Sequence, residues 1–178
     1  MNTSKVKVSI EFFPPKDMGK FLDVAKKLSL LHPVFYSVTC GAFGTDQAGT
    51  VKTIAQLAQH CNVPIMPHLT CINATRESVK KLLTTYTDLK IKNLMALRGD
   101  LPSDVKNRGD FAHANELVKF VRQETGDYFD IKVAAYPEFH PEAKTSQADV
   151  ENLKLKIDAG ANCAITQFFY NTDEFFYF

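Results

Sequence analysis

The chain has 178 residues, of which 45% are hydrophobic and 23% are charged, a composition typical of one soluble globular domain with a sizeable core. Lys and Arg total 21 against 20 Asp and Glu, so the formal charge is only +1. This balance lacks the basic footprint of a nucleic-acid-binding protein and offers no attraction to an anionic membrane. The composition therefore favours a small-molecule ligand.

The N-terminus and the cysteines predict the cellular compartment. Residues 1–7 have no long apolar stretch behind a basic start, so no signal peptide is predicted. No apolar run approaches the ~20 residues that cross a bilayer. The four cysteines are widely spaced without a C-x-x-C pair, which favours reduced thiols over a zinc site or disulfides. We therefore expect a cytoplasmic protein that binds no metal and no membrane.

Six short apolar runs predict strands, and reactive side chains follow each of them. They are Val6–Ile10 before Glu11, Val34–Val38 before Thr39, Val63–Pro67 before His68, Leu94–Leu97 before Arg98, Gly99 and Asp100, Val133–Ala135 before Tyr136, and Ala164–Ile165 before Thr166 and Gln167. Parallel strands of a β/α barrel all finish on one face, where the loops that follow build the active site. The pattern therefore indicates an enzyme pocket.

Segments with helical periodicity alternate with these strands. Five helices are expected, over Phe21–Leu31, Thr50–Cys61, a stretch starting near Ala74–Ser78, Asn115–Glu124 and Asp149–Ala159. Gly160 is placed to cap the fifth helix, whereas Thr75 followed by Ser78 is expected to be only a weak cap of the third. A sixth helix begins near Asn171–Asp173.

The strands are apolar on both faces, which favours a parallel sheet in a single α/β domain over residues 1–178. A complete (β/α)8 TIM-type barrel needs ~250 residues. Seven of the last eleven residues are aromatic, which predicts an exposed apolar patch. We therefore expect a (β/α)8 TIM-type barrel truncated after about six strands, without about two C-terminal βα units. The alternative is an open six-stranded sheet.

Glu11 is the candidate general acid. It stands among aromatic residues and prolines, so we expect poor solvation that favours its protonated form near neutral pH. The competing interpretation is a strand-end glutamate paired with a Lys or Arg of the next loop.

Arg98, Gly99 and Asp100 follow the fourth strand directly. Gly99 allows close approach of the backbone to a ligand, Arg98 can hold an anion, and Asp100 can hold a cationic or N–H-bearing ring. An internal salt bridge of Arg98 is the alternative, and display of Arg-Gly-Asp to an adhesion receptor does not suit a strand end. His68 and His140 are interpreted as ligand-binding residues.

Two further patterns leave the chemistry open. Cys40 with His68 could form a thiol nucleophile and its base, although a cysteine is often only a small buried hydrophobe. Asp149, Asn152 and Lys156 share one helix face, a spacing common on solvated helices. Neither a P-loop nor a G-x-G-x-x-G motif is present. The residues alone predict a small-molecule pocket with a buried acid and an anion clamp, and they do not identify the reaction.

Six colinear segments resemble the methylenetetrahydrofolate reductase family. They are Ser9–Pro15, Ser37–Ala42, Pro67–Cys71, Ala96–Pro102, Val133–Ala143 and Asp158–Phe169. The resemblance covers nearly the whole chain. It implies a β/α barrel that binds FAD, takes hydride from NAD(P)H and converts 5,10-methylenetetrahydrofolate to 5-methyltetrahydrofolate, with both substrates using one flavin face in turn.

The resemblance also implies roles for individual residues. Glu11 matches the family's acid, which protonates the leaving nitrogen of the folate. Asp100 matches a catalytic carboxylate near flavin and pterin, and Gln167 matches a pterin-contacting amide. Flavin-contacting positions are matched by Thr39, His68, Arg98, Gly99, Asp100, Ala112, Tyr136, His140, Asp149, Asn152 and Lys156.

The chain departs from the family pattern at three points. Phe111 replaces a familiar tyrosine and Leu155 an arginine, so two polar flavin contacts are absent. The family's last two βα units are also missing, together with an aromatic residue that stacks on the substrate. The alternatives are thus an inactive fragment of a homo-oligomeric enzyme, a non-catalytic flavin- or pterin-binding remnant, or the thiol hydrolase.

Overall fold

The computed structural model describes residues 6–40, 47–100 and 109–178. In the described part, strands and helices alternate along the chain. The strands are β1 (Ile10–Phe12), β2 (Tyr36–Val38), β3 (Ile65–Thr70), β4 (Asn93–Leu97), β5 (Asp130–Ala135) and β6 (Cys163–Thr166). The helices are α1 (Met18–Ser29), α2 (Gln47–His60), α3 (Arg76–Asp88), α4 (Ala114–Thr125), α5 (Ser146–Asp158) and α6 (Thr172–Tyr177).

The strands form one parallel sheet in the order β1-β2-β3-β4-β5-β6. All five pairings are parallel, and each joins strands that are consecutive in the chain. This is the arrangement of six successive βα units of a (β/α)8 barrel, and it confirms the predicted fold class. Glu11 of β1 and Ile165 of β6 line the same cleft although their strands lie at opposite ends of the sheet. The sheet therefore curves around that cleft as a barrel wall does.

The strand bounds differ from those predicted, because pairing with neighbours includes the polar residues. Glu11 lies within β1, opposite Ser37 of β2. His68 lies within β3, where pairing with Met95 of β4 extends the strand to Thr70. Both side chains are therefore held by the rigid sheet rather than by a loop.

Side-chain caps fix the starts of three helices, and two of these helices begin earlier than predicted. The Asp17 side chain accepts a hydrogen bond from the Lys20 backbone N–H at 3.1 Å, so α1 begins before the apolar stretch that predicted it. Thr145 caps α5 in the same way, so that helix also starts early. The expectation of a weak cap at Thr75 was wrong. Its side chain accepts from the Ser78 N–H at 3.1 Å, and Ser78 Oγ accepts from the Thr75 N–H at 3.0 Å.

The core lies between the sheet and the outer helices. Tyr36, Leu94 and Ile131 from the strands are fully buried there with Leu57 of α2 and Leu117 of α4. The Tyr36 hydroxyl donates to the Ala25 carbonyl at 2.7 Å, which ties β2 to α1. Residues that alternate with these on the strands face the opposite side, where the cleft lies.

The aromatic residues near residue 178 are largely solvent-exposed, as the sequence predicts. Phe168, Tyr170, Phe176 and Tyr177 are each more than two-thirds exposed. Across the described ranges, every helix is too short or too polar to span a bilayer.

Candidate active site

A cleft of about 790 Å³ opens at the carboxyl ends of the strands. Every predicted site residue except Ala112 lines it: Glu11, Thr39, His68, Arg98, Gly99, Asp100, Tyr136, His140, Asp149, Asn152, Lys156 and Gln167. The Ala112 backbone N–H donates instead to Glu116 Oε2 at 2.7 Å, next to the lining residue His113. Gly41, Ala42, Leu101 and Pro102, which belong to the family-like segments, lie outside the described residues.

Glu11 projects into the cleft beside two neighbouring strands. Its Oε2 lies 3.4 Å from His68 Nε2 and accepts a hydrogen bond from Ser37 Oγ at 3.5 Å. The expected poor solvation was wrong, because the Glu11 side chain is 51% exposed and its neighbour Phe13 points to solvent. The partner of Glu11 is His68 of β3, rather than a Lys or Arg of the next loop. The sequence could not reveal this pairing, since 57 positions separate the two residues.

His68 is much less exposed than its partner. Its side chain is 13% exposed, and burial lowers the pKa of the imidazole, while the Glu11 carboxylate partly opposes that shift. The ring is therefore mainly neutral at neutral pH. A neutral imidazole can hold the Glu11 carboxyl group in place without pairing with it as a full cation.

Arg98 does form an internal salt bridge, the alternative that its sequence position left open. Its Nη1 and Nη2 donate to the two carboxylate oxygens of Glu142 at 2.6 and 2.9 Å. This hydrogen bonding raises the pKa of Arg98 above its already high usual value. Glu142 was not among the predicted site residues, although it lies within a family-like segment and lines the cleft.

The loop after β5 is held by buried polar groups. The Asp149 side chain is almost completely buried and accepts from the His140 backbone N–H at 3.0 Å. The Tyr136 and His140 rings meet edge to face, with centroids 4.6 Å apart. Lys156 Nζ donates to the Ala134 carbonyl at 2.6 Å, and burial lowers the pKa of its ammonium group. These contacts fix the positions of His140, Asp149 and Lys156 in the lining of the cleft.

The cleft contains an unsatisfied polar group that suits a ligand. Thr39 lines the cleft, and its buried Oγ1 has no hydrogen-bond partner among the residues that the structure describes. Such a group costs free energy unless a ligand or water satisfies it. At Gly99 the φ angle is +85°, and an added Cβ would lie 2.7 Å from Ile72 Cδ1. Gly99 is therefore required for the loop conformation that carries Arg98 and Asp100.

Gln167 lies at the end of β6. Its backbone N–H donates to the Ala135 carbonyl at 2.7 Å, which continues the pairing with β5, and its side-chain Oε1 accepts from the Phe168 N–H at 2.9 Å. The side-chain NH₂ group can still donate to a ligand.

The two residues that depart from the family pattern, Phe111 and Leu155, have different structural surroundings. Phe111 is buried and packs against the Phe120 ring, with centroids 5.4 Å apart, and it does not line the cleft. Leu155 does line the cleft and is 51% exposed. Of these two positions, only Leu155 therefore changes the surface of the cleft, where it places an apolar side chain.

The structure disfavours a thiol hydrolase based on Cys40 and His68. The Cys40 thiol lies close enough to Tyr86 to raise the pKa of that phenol, together with the larger effect of burial. Tyr86 is on the buried face of α3, outside the sheet. His68 faces the cleft inside the sheet, whereas Cys40 does not line it.

None of the four cysteines, all in described segments, forms a disulfide. Where side chains are described, no group of three or more His, Cys, Asp or Glu residues could hold a metal ion.

The curved parallel sheet and the polar cleft at its carboxyl ends define a protein of the β/α-barrel class. Structural comparison agrees on the fold. A phosphonopyruvate hydrolase complex with oxalate and Mg²⁺ aligns over 97% of this chain and 62% of that chain, with a TM-score of 0.69 and 11% identity. An oxaloacetate acetylhydrolase aligns over 97% and 62%, with a TM-score of 0.68 and 13% identity. At such low identity these similarities show the fold alone.

The sequence comparison gives the family. The methylenetetrahydrofolate reductase family profile matches residues 1–178, so the chain belongs to that family. The 5,10-methylenetetrahydrofolate reductases of Pectobacterium carotovorum subsp. carotovorum and Escherichia coli strain K12 are 46% and 43% identical to it over 177 residues. These alignments cover 98% of this chain and 58% of each relative. The chain thus spans under two-thirds of the length of the relatives that it matches.

Proposed function

We propose that this chain provides the flavin site and the acid for NAD(P)H-dependent reduction of 5,10-methylenetetrahydrofolate to 5-methyltetrahydrofolate. Family membership and relatives that carry this enzyme's name support the proposal. The observation on which it chiefly rests is that Glu11 of β1, Asp100 after β4 and Gln167 after β6 line one cleft. Three separate strands thus deliver the residues that the chemistry requires.

The residues of the cleft fit FAD. FAD, when bound, would carry hydride from the nicotinamide to the folate. The buried Thr39 hydroxyl offers a hydrogen bond to the ligand, and Lys156 and Arg98 offer cationic groups to its phosphates. His140, Asp149 and Asn152 line the cleft with Lys156 and are suited to the polar parts of the cofactor.

Glu11 is placed to act as a general acid. Its half-exposed carboxyl group can take a proton from solvent and deliver it to the leaving nitrogen of the folate ring system. The His68 imidazole, 3.4 Å away, orients the carboxyl group. The Asp100 carboxylate would stabilise the positive charge that develops on the substrate as its ring opens, and the Gln167 amide would hold the pterin.

The remaining proposals concern the setting of the enzyme. We propose that the substrates are a folate and NAD(P)H, and that the protein works in the cytoplasm in folate and one-carbon metabolism, as part of a homo-oligomer. The absence of disulfides among the four cysteines is compatible with a reducing compartment.

Flavin titration and two half-reactions test the proposal. The purified chain should retain FAD after desalting and show flavin absorbance. Anaerobic NADH or NADPH should bleach that absorbance, and 5,10-methylenetetrahydrofolate should restore it. Bleaching without reoxidation by the folate would leave only a flavin-binding remnant, and failure to retain flavin at all would contradict the proposed site.

A further inference from the structure

Arg98 is already occupied by a carboxylate of the same cleft. Both terminal nitrogens of Arg98 donate hydrogen bonds to Glu142, at 2.6 and 2.9 Å. The Arg98 and Glu142 side chains both line the cleft. The residues are 44 positions apart and lie on the loops after β4 and β5. A ligand anion that binds Arg98 must therefore compete with Glu142.

The charges around the cleft make this competition important. Among described lining residues, four carboxylates (Glu11, Asp100, Glu142 and Asp149) accompany two basic side chains, Arg98 and Lys156. This lining is formally negative when its histidines are neutral. A diphosphate brings further negative charge, so release of Arg98 from its carboxylate partner would favour binding of the diphosphate.

Glu142 is the carboxylate best able to release a cation. Its side chain is 63% exposed, whereas Asp149 is 8% exposed and holds the His140 backbone. The Glu142 backbone N–H donates to His140 Nδ1 at 3.1 Å, a contact that does not involve the Glu142 carboxylate. Displacement of that carboxylate from Arg98 would expose the guanidinium group and leave this backbone contact in place.

We propose that Glu142 is a displaceable counter-ion that reserves Arg98 for a diphosphate-bearing ligand. In the ligand-free cleft its two oxygens satisfy the guanidinium group and keep small anions from it. A diphosphate supplies several oxygens at once and replaces them, so Glu142 sets the affinity and charge selectivity of the site. The inference rests on the proposed function only for the identity of the ligand as FAD.

Glu142→Gln is the direct test. Removing the charge while keeping the side-chain size should tighten binding of FAD and of inorganic pyrophosphate by about twofold to fivefold, the range expected for an exposed ion pair. Riboflavin, which has no phosphate, should bind both proteins equally. Flavin fluorescence measures the two flavins, and calorimetry measures pyrophosphate.

Glu77→Gln is the matched control. It removes a glutamate that is also mostly exposed, pairs with Lys81 on α3 and lies outside the cleft, so ligand binding should not change. Glu142→Asp shortens the side chain, breaks the two-point contact and should also tighten FAD binding. It serves as the second variant if Glu142→Gln does not fold.

Two outcomes would overturn the inference. One is unchanged or weaker FAD and pyrophosphate binding in both folded Glu142 variants. The other is an equal gain from Glu142→Gln in an Arg98→Ala background, where no guanidinium group remains to be released. If pyrophosphate binds more tightly to Glu142→Gln but no variant binds FAD or riboflavin, the flavin function fails and the counter-ion role stands. If no variant binds either flavin or pyrophosphate, both fail.

Discussion

At the residue scale, the Glu11 carboxyl group depends on its neighbour across the sheet. His68 Nε2 lies 3.4 Å from Glu11 Oε2. Burial lowers the pKa of His68, and the Glu11 carboxylate partly opposes that shift. Their separation and charge lead to three predictions.

Glu11→Gln should separate the two half-reactions. The amide cannot donate a carboxylic proton, so reoxidation of the reduced flavin by 5,10-methylenetetrahydrofolate should slow at least ~100-fold, within the range for general acid catalysis. Flavin reduction by NAD(P)H needs no such proton and should remain within about twofold. Anaerobic stopped-flow absorbance measures both rates. Equal loss in the two half-reactions would contradict the acid role.

The stability of the protein should depend on pH through His68. Burial lowers the pKa of His68 below its usual value, so the unfolded chain binds a proton at a pH where the folded chain does not. This proton uptake destabilises the folded state as the pH falls through the usual histidine range, between about pH 7 and about pH 5. Urea unfolding at several pH values should show a smaller loss for His68→Gln than for the wild type.

Glu11→Gln provides a second measurement on the same pair. Burial lowers the pKa of His68, and the Glu11 carboxylate partly opposes this shift. Removal of the Glu11 carboxylate should therefore lower the pKa of His68 further. NMR titration of the His68 ring checks the sign. An increase in the His68 pKa in this variant would show that the two groups do not interact as described.

At the element scale, short side-chain contacts determine where helices begin and how the loops of the site are held. Arg122 of α4 illustrates the second effect, because its Nε donates to the Gly160 carbonyl at 2.9 Å and its Nη1 to the Phe129 carbonyl at 2.8 Å. It thereby joins α4 to the turns that precede β5 and β6. Gly160, at φ +114°, follows α5 as predicted for a helix C-terminus.

Thr75→Ala should lower the free energy of unfolding by about 1 kcal/mol, the usual cost of losing an N-cap. The variant removes the hydroxyl that accepts from the Ser78 N–H at the start of α3. Thr84→Ala on the exposed face of the same helix is the matched control and should be neutral or slightly stabilising, because alanine favours helix. Urea unfolding measures both, and an equal effect of the two substitutions would contradict the capping role.

At the scale of the whole molecule, the curved sheet brings distant strands to one ligand site. Because the proposed ligand contacts residues from β2 to α5, its binding should stabilise the fold as a unit. At a free FAD concentration 100 times Kd, the free energy of unfolding should rise by about 2.7 kcal/mol. Urea unfolding with and without FAD measures this gain.

Lys156→Met tests the origin of this stabilisation. It removes a cation at the α5 end of the cleft and should weaken FAD binding about tenfold or more, with a correspondingly smaller stabilisation at equal FAD concentration. An unchanged stabilisation by FAD would place the phosphates elsewhere.

The order of strands and helices, the parallel sheet and most of the polar cleft residues were predictable from the sequence alone. Apolar runs and their polar ends are local patterns, and the rule that parallel strands finish on one face converts them into a site. Residues such as Thr39, Tyr136 and Gln167 therefore lie in the cleft as expected.

Only the tertiary structure decided which side chains are partners. The contacts of Glu11 with His68 and of Arg98 with Glu142 join residues on separate βα units, and no local periodicity encodes them. The exposure of Glu11 and the absence of Cys40 from the cleft lining likewise depend on which face of the sheet each side chain occupies. Local sequence determined the elements, whereas burial and pairing arise from the curvature of the sheet and the packing of distant segments.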